Sequence, residues 1–479
     1  MVVKLQRPIL VGGLGLSFGL WMLQSWDDYI LQLLTEVGLL GAVAVGGGLW
    51  LLQKNKPQQS VEQLHGMVKE RGTVETAIAQ GEAIIKQLGQ EAVNHPALET
   101  LQGRLGQLQI ELDREEITIA VTGGKSVGKS SLVAVLESRG WGGTQNKVTL
   151  WETTPLFTQT GEQSDIPILA AVKQSDFVLF LTNGDLTDWE FQSLQQLKAA
   201  NQPVRLIFNK QDQYLPEERE SILLSLKQRM SEDVVGTVTS PVARKVRKHE
   251  SNGNIQEWME QPEPDIEGLI EDLSKIVSQQ RQQLIWTTTW RKAKLLKAAG
   301  KNWLNETRGD RSIPIIEQYQ WISAAAAFAN PVPALDILAT AAINAQMVID
   351  LGNIYQQKFS LEQAQTLGVT MGGLMVKLGL VELSTKAVSM VLKSNAITFV
   401  AGGIVQGVSA AYLTRVAGLS LVAYFAQQEE ALDSGNVLNL DKLRQTVQKV
   451  FESNQQMNLL SRLVQESIKR LSPQTETVN

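Results

Sequence analysis

Ile117 to Val121 reads ITIAV, and after Thr122 the chain continues Gly123-Gly124-Lys125-Ser126-Val127-Gly128-Lys129-Ser130-Ser131. The first part is a β-branched run preceded by Asp113, Glu115 and Glu116, the pattern of a strand buried within a parallel sheet. The second part has the form G-x-x-x-x-G-K-[ST] and runs into an apolar-periodic helix through Leu136. In this context the glycines let backbone N–H groups curl around phosphate oxygens, and the helix N-terminus adds positive potential. Lys129 is placed to reach the β- and γ-phosphates, and Ser130 to ligate Mg²⁺. The stretch predicts an α/β phosphate-loop domain, reduced to about five strands.

A second pattern selects the base. Pro203 to Phe208 (PVRLIF) reads as a buried strand and runs into Asn209-Lys210-Gln211-Asp212. A carboxylate at Asp212 can accept hydrogen bonds from both the ring N1–H and the exocyclic amino group of guanine, whereas adenine offers an acceptor and no 2-amino group. A further strand is expected over Val234 to Thr239, ending at Ser240-Pro241-Val242.

From about Glu116 to Val246 the chain resembles a translation-factor-class GTPase, closest to the Era/TrmE-like branch. The resemblance implies GTP/GDP and Mg²⁺ as ligands, held by Gly123 to Ser131, by Asn209, Lys210 and Asp212, and by a backbone contact to the base from Ser240, Pro241 and Val242. It also implies a D-x-x-G segment after the strand Lys147 to Trp151. Here Glu152-Thr153-Thr154-Pro155 stands instead, so Glu152 is the candidate second Mg²⁺ contact, and proline has no N–H to offer a γ-phosphate. Leu156 occupies the place of the family's catalytic glutamine, and Ser126 that of the asparagine with which TrmE-like members bind potassium. The catalytic candidates that remain are Glu152 and, as a first-switch threonine, Thr144; they leave hydrolysis open.

Outward toward the N-terminus, Pro8 to Leu23 and Val37 to Leu52 are uncharged. Each covers about 24 Å as a helix, and flanks through Trp26 and Ile30 extend them toward the ~30 Å hydrocarbon core. Residues 1–56 are expected as a two-helix transmembrane hairpin. Lys4, Arg7, Lys54 and Lys56 flank it and Asp27 and Asp28 lie between the runs, which puts both termini and the nucleotide domain on the cytoplasmic side of an inner or internal membrane. A secretory signal peptide and a buried soluble hairpin are the competing readings. Residues 57–115 carry helix-spaced leucines broken at Asn94-His95-Pro96, and read as a helical stalk.

Beyond the domain at 116–250, residues 251–283 read as a proline-bearing linker and connecting helix. Arg244, Lys245, Arg247 and Lys248 read as a solvated loop. Trp286 and Trp290 are interleaved with Arg291, Lys292, Lys294, Lys297 and Lys301, which suits either an anionic membrane surface or tryptophans packed inward under a solvated face. From Gln318 an Ala-rich helix, Asn330-Pro331-Val332-Pro333, Asp336 and a helix ending at Tyr355 follow in order. A later helix after Gly402-Gly403 bears Tyr412, Thr414 and Arg415 and ends at Tyr424-Phe425. This order resembles the YcjF-type helical domain of unknown function, placed at 284–430. Charges such as Asp350, Lys377 and Arg415 interrupt its apolar runs, so a packed bundle is expected rather than insertion. Residues 431–479 are read as a C-terminal amphipathic helix and tail.

Composition narrows the function. The 479 residues include no cysteine and three histidines, which excludes thiolate metal sites and cysteine nucleophiles. A net charge of -5 argues against a nucleic-acid partner. The expected partners are guanine nucleotide, a lipid bilayer, an unidentified protein and a second copy of the chain. Three functions fit: a nucleotide-dependent switch with slow GTP hydrolysis, a scaffold with a degenerate domain that does not hydrolyse GTP, and membrane remodelling of the dynamin type.

Overall fold

The computed structural model describes residues 67–68, 70–142, 147–158, 165–230, 234–249, 255–329, 333–394, 403–428, 439–454, 461–462 and 464–466. The expected membrane hairpin at 1–56 and Thr144 lie outside them.

Among the described residues, five parallel strands form one sheet: β1 (Ile117–Gly123), β2 (Val148–Glu152), β3 (Phe177–Thr182), β4 (Val204–Phe208) and β5 (Val234–Gly236), in the order β2-β1-β3-β4-β5. β1 and β3 are almost wholly buried, as near-continuous apolar runs require when helices cover both faces. The crossovers are α3 (Lys129–Ser138), α4 (Ile166–Val172), α5 (Asp188–Ala199) and α6 (Pro216–Met230), which come after α1 (Arg71–Glu91) and α2 (Ala97–Leu112). Leu132 and Leu136 of α3 pack on one face with Ile117, Ile119 and Val121. Leu194, Leu197, Leu226 and Met230 cover Phe180 and Phe208 on the other. The chain leaves β1 for β2 on one side and returns to β3 on the other, so a crevice opens beyond the carboxyl ends of β1 and β3.

Two local expectations are corrected. The strand expected to run to Thr239 stops at Gly236. Thr237 still bonds Phe208 O through its N–H, but Val238 pairs antiparallel with Asp265, turning the chain across the sheet end. The basic cluster expected as a loop is strand β6 (Arg244–His249), paired antiparallel with β7 (Ile255–Glu260) inside the stretch read as a linker. Both strands are largely exposed, so neither carries the apolar alternation of a half-buried strand. Lys245 and Arg247 flank Glu257 in cross-strand ion pairs, which explains the charge density.

The helix α7 (Glu267–Ala329) is 63 residues long, about 95 Å at 1.5 Å per residue. It runs unbroken through residue 284. Its first turns present Leu269, Leu273, Ile276 and Ile285 to the sheet core. Its middle lies against α1 and α2, where Val74, Ile78, Ile85, Leu88, Leu101 and Leu108 meet Ala293, Leu296 and Leu304. The segment expected as a stalk is therefore a helical layer flat against α7, broken at His95-Pro96 as expected. Trp286 and Trp290 pack into this cluster, which decides between the two readings of that row in favour of inward packing.

The last turns of α7 join α8 (Pro333–Ile354), α9 (Leu361–Lys377), α10 (Leu380–Ser394), α11 (Gly403–Ala426) and α12 (Leu440–Asn454). Their shared core includes Ile316, Leu351, Leu367, Val416, Tyr424 and Val447. At Gly418 a Cβ would come within 2.7 Å of Ile316, so glycine sets how closely α11 approaches α7. Val405–Ala426 is the one described helix long and apolar enough to cross a membrane by itself, and 67% of its most apolar window is buried within the bundle.

Candidate functional site

At the end of β1 the backbone takes conformations that side chains resist. Gly123 has φ 144°, and a Cβ there would sit 2.4 Å from Leu181 O; Gly128 has φ 97°, and its Cβ would sit 2.2 Å from Asn209 Nδ2. Ser126, between them, is left-handed at φ 62°. The turn from Gly124 to Gly128 thus wraps over the crevice and delivers the N-terminus of α3, which has no side-chain cap on its first N–H groups. Lys125 and Ser126 are exposed, Val127 is buried beneath them, and Ser131 is half-buried in the first turn.

Lys129 is buried, with Nζ donating to the carbonyls of Gly124 (2.8 Å) and Gly123 (3.2 Å). Burial lowers its pKa, and the nearby Glu152 carboxylate opposes that shift. The β1–β2 register sets Glu152 beside Val121, so its carboxylate reaches the loop. Ser130 donates to Glu152 Oε1 at 2.8 Å, and both side chains are exposed. Two adjacent hard oxygen ligands at the mouth of a phosphate loop fit Mg²⁺, which retains several waters of its own.

Asn209, fully buried after β4, connects the two halves of the site. Its Nδ2 donates to Val127 O and to Thr239 Oγ1, each at 2.9 Å; its Oδ1 accepts from Thr239 N (3.1 Å) and Thr237 Oγ1 (3.2 Å). Lys210 is left-handed at φ 62° and half-buried. Asp212 Oδ2 accepts from Val242 N at 2.9 Å, which fixes Ser240, Pro241 and Val242 against the carboxylate. Asp212 Oδ1 is buried and has no hydrogen-bond partner among the described residues. A buried carboxylate oxygen without a donor is costly, and an amide-like ring edge with two donors would satisfy it. The structure therefore gathers the phosphate-loop residues, Glu152, Asn209, Asp212 and the 240–242 turn at one end of the sheet.

Two relations were hidden in the sequence. Across residues 153–157, Thr153 N bonds Val121 O, Leu156 N bonds Gly123 O, Phe157 N faces the Asp165 carboxylate, and Pro155 has no N–H. Thr154 is left as the one N–H in this stretch with no protein acceptor among the described residues. Downstream, the end of α4 is held by Arg291 of α7, which donates to Lys173 O and Ser175 O (each 3.0 Å), to Thr288 Oγ1 (3.0 Å) and to Gln202 Oε1. Burial lowers this arginine to about 10, with Asp176 opposing, so it stays charged at neutral pH. In sequence it is one of several cations in a row, and nothing in the spacing sets it apart.

Residues 291–456 match the model of the family described as Domain of unknown function (DUF697). This bears out the helical domain of unknown function expected from the order of the C-terminal helices. Among solved structures, the chain is similar to "LeoA bacterial dynamin GTPase from ETEC" at 10% identity and a TM-score of 0.25, over 84% of this chain and 94% of that one. No curated protein matches the chain.

Proposed function

We propose that this chain is a membrane-anchored guanine-nucleotide switch, with its nucleotide domain of the translation-factor class, Era/TrmE-like. The observation that carries the reading is the buried, unpartnered Oδ1 of Asp212, tied through Asn209 to a phosphate loop that ends in Lys129 and Ser130. The N–H groups from Gly124 to Ser131 and the Lys129 ammonium would hold the phosphates of GTP or GDP, and Asp212 would select guanine. Ser130 and Glu152 would hold Mg²⁺, which supplies charge neutralisation at the β- and γ-phosphates. Thr154 N–H is the donor left for a γ-phosphate. From there Leu156 and Phe157 lead toward α4, whose end Arg291 fastens to α7. The apolar runs in 1–56 would anchor the chain in an inner or internal membrane with this domain cytoplasmic.

Leu156 is fully buried where the family places its water-orienting glutamine, so turnover is expected to be slow. Pro155 and Leu156 favour a second reading, a scaffold that holds guanine nucleotide without hydrolysis. Phosphate release from excess GTP by the detergent-solubilised chain separates the two. Turnover abolished by Lys129→Ala supports the slow GTPase, and release no faster than the Lys129→Ala background supports the scaffold.

A further inference from the structure

A cleft of about 750 Å³ opens between α1, the middle of α7, and the chain just beyond α8 and at the end of α11. None of its lining residues belongs to the phosphate loop or the base turn. Four cations line it, Lys294, Lys297, Lys301 and Arg308, and among the described residues no aspartate or glutamate does. The three lysines fall at i, i+3 and i+7, on one side of α7 over about 10 Å.

Their partners differ from those of neighbouring cations. Lys292, on another face of α7, pairs with Glu111 at 2.7 Å, and Arg308 is fastened by Glu91 at 2.7 Å. Lys294 instead sits 3.8 Å from the centroid of the Trp290 ring, and Lys297 donates to the neutral Gln80 at 3.0 Å. Neither has a carboxylate partner among the described residues. Lys301 donates to Gln428 O at 2.9 Å.

The opposite wall supplies an independent observation. Tyr355 is 4% exposed, lines the cleft, and its hydroxyl is buried without a hydrogen-bond partner among the described residues. The neighbouring Ser312 hydroxyl is donated to Arg308 O at 2.7 Å. Burial pushes the Tyr355 phenol up to about 12, so at neutral pH it is a proton donor. Tyr355 lines the same cleft as Lys294 and Lys297, and a buried hydroxyl without a hydrogen-bond partner, together with two lysines that have no carboxylate partner among the described residues, makes the cleft a place for an anion with several oxygens. Trp290, Leu304 and Phe425 add apolar surface, and neutral polar side chains, glutamines and threonines among them, line much of the rest.

We propose that this cleft is a second ligand site, separate from the nucleotide site, that binds a phosphate-bearing anion through Lys294, Lys297 and the Tyr355 hydroxyl. The same chemistry is offered by a soluble oligophosphate and by a phospholipid headgroup whose chains rest on the apolar residues of the lining. Either would link α1 and α7 to the ends of α8 and α11.

The test titrates the full chain in non-ionic detergent with inorganic pyrophosphate, dihexanoyl phosphatidylglycerol and dihexanoyl phosphatidylcholine. It is run in a Lys129→Ala background, so that the phosphate-loop lysine contributes nothing to the difference read. Saturable binding of pyrophosphate or of the phosphatidylglycerol is expected, weakened about tenfold to a hundredfold by Lys294→Gln with Lys297→Gln. Tyr355→Phe should weaken it severalfold without lowering the unfolding midpoint. Preference for pyrophosphate would identify a soluble anion, and preference for the phosphatidylglycerol a headgroup. The proposal is overturned if neither anion binds, if the double lysine variant binds as the parent does, or if the phosphatidylcholine binds equally well.

Discussion

Asn209 shows how one side chain can hold a site whose parts come from distant sequence. Its four hydrogen bonds join Val127 in the phosphate loop to Thr237 and Thr239 beyond β5, all within a buried corner. Asn209→Ala should cost about 3 kcal/mol, from the orphaned Val127 carbonyl and Thr239 groups, and chemical denaturation of the full chain would read that loss. Gly128→Ala strikes the same corner from the other side, since its Cβ would displace Asn209 Nδ2 and its φ of 97° is strained for any side chain. Loss of nucleotide binding is expected there even though alanine is a good helix former; binding at the level of the parent would show that the loop does not depend on this turn. That Lys129, Ser130 and Asp212 lie together at one end of the sheet was legible in the sequence, because each belongs to a short run that follows a predicted strand. The bridging role of Asn209 was not, because its partners stand some 30 and 80 residues away and only the folded sheet brings them together.

At the scale of elements, the joint between α4 and α7 carries the switch reading. Three carbonyl oxygens, at Lys173, Ser175 and the Gln202 side chain, converge on Arg291. Replacing it by methionine would retain apolar volume but leave those acceptors buried, at about 3 kcal/mol. If α4 responds to the γ-phosphate through Thr154 to Phe157, a GTP analogue should change amide exchange both in α4 and in the stretch of α7 around Arg291. Arg291→Met should confine the change to α4; unaltered exchange in α7 of the parent would break the proposed link. β1 and β4 were predictable because a strand covered on both faces is an apolar run; β3, just as apolar, was not singled out because no motif follows it. The β6–β7 hairpin was not, since charged, exposed strands stabilised by cross-strand ion pairs look like a solvated loop.

Across the whole described chain, α7 is the connecting member: its N-terminal turns complete the core of the sheet, its middle carries α1 and α2, and its C-terminal turns enter the bundle of α8 to α12. The resemblance of the C-terminal helices placed a domain boundary at residue 284, whereas the backbone shows a continuous helix there, because periodicity records which face is buried and not which neighbour buries it. Long-range consequences of the proposed nucleotide binding would therefore have a physical route along one continuous helix. All of this depends on the site taking a guanine nucleotide. The most direct measurement is calorimetric titration of the detergent-solubilised chain with GDP and a non-hydrolysable GTP analogue, with ATP as competitor and Asp212→Asn as control. Micromolar binding is expected that ATP does not displace and that Asp212→Asn weakens at least a hundredfold, the loss expected when a base's two donors lose a buried carboxylate. Absence of binding to correctly folded protein, or binding that ATP displaces and Asp212→Asn leaves unchanged, would contradict it.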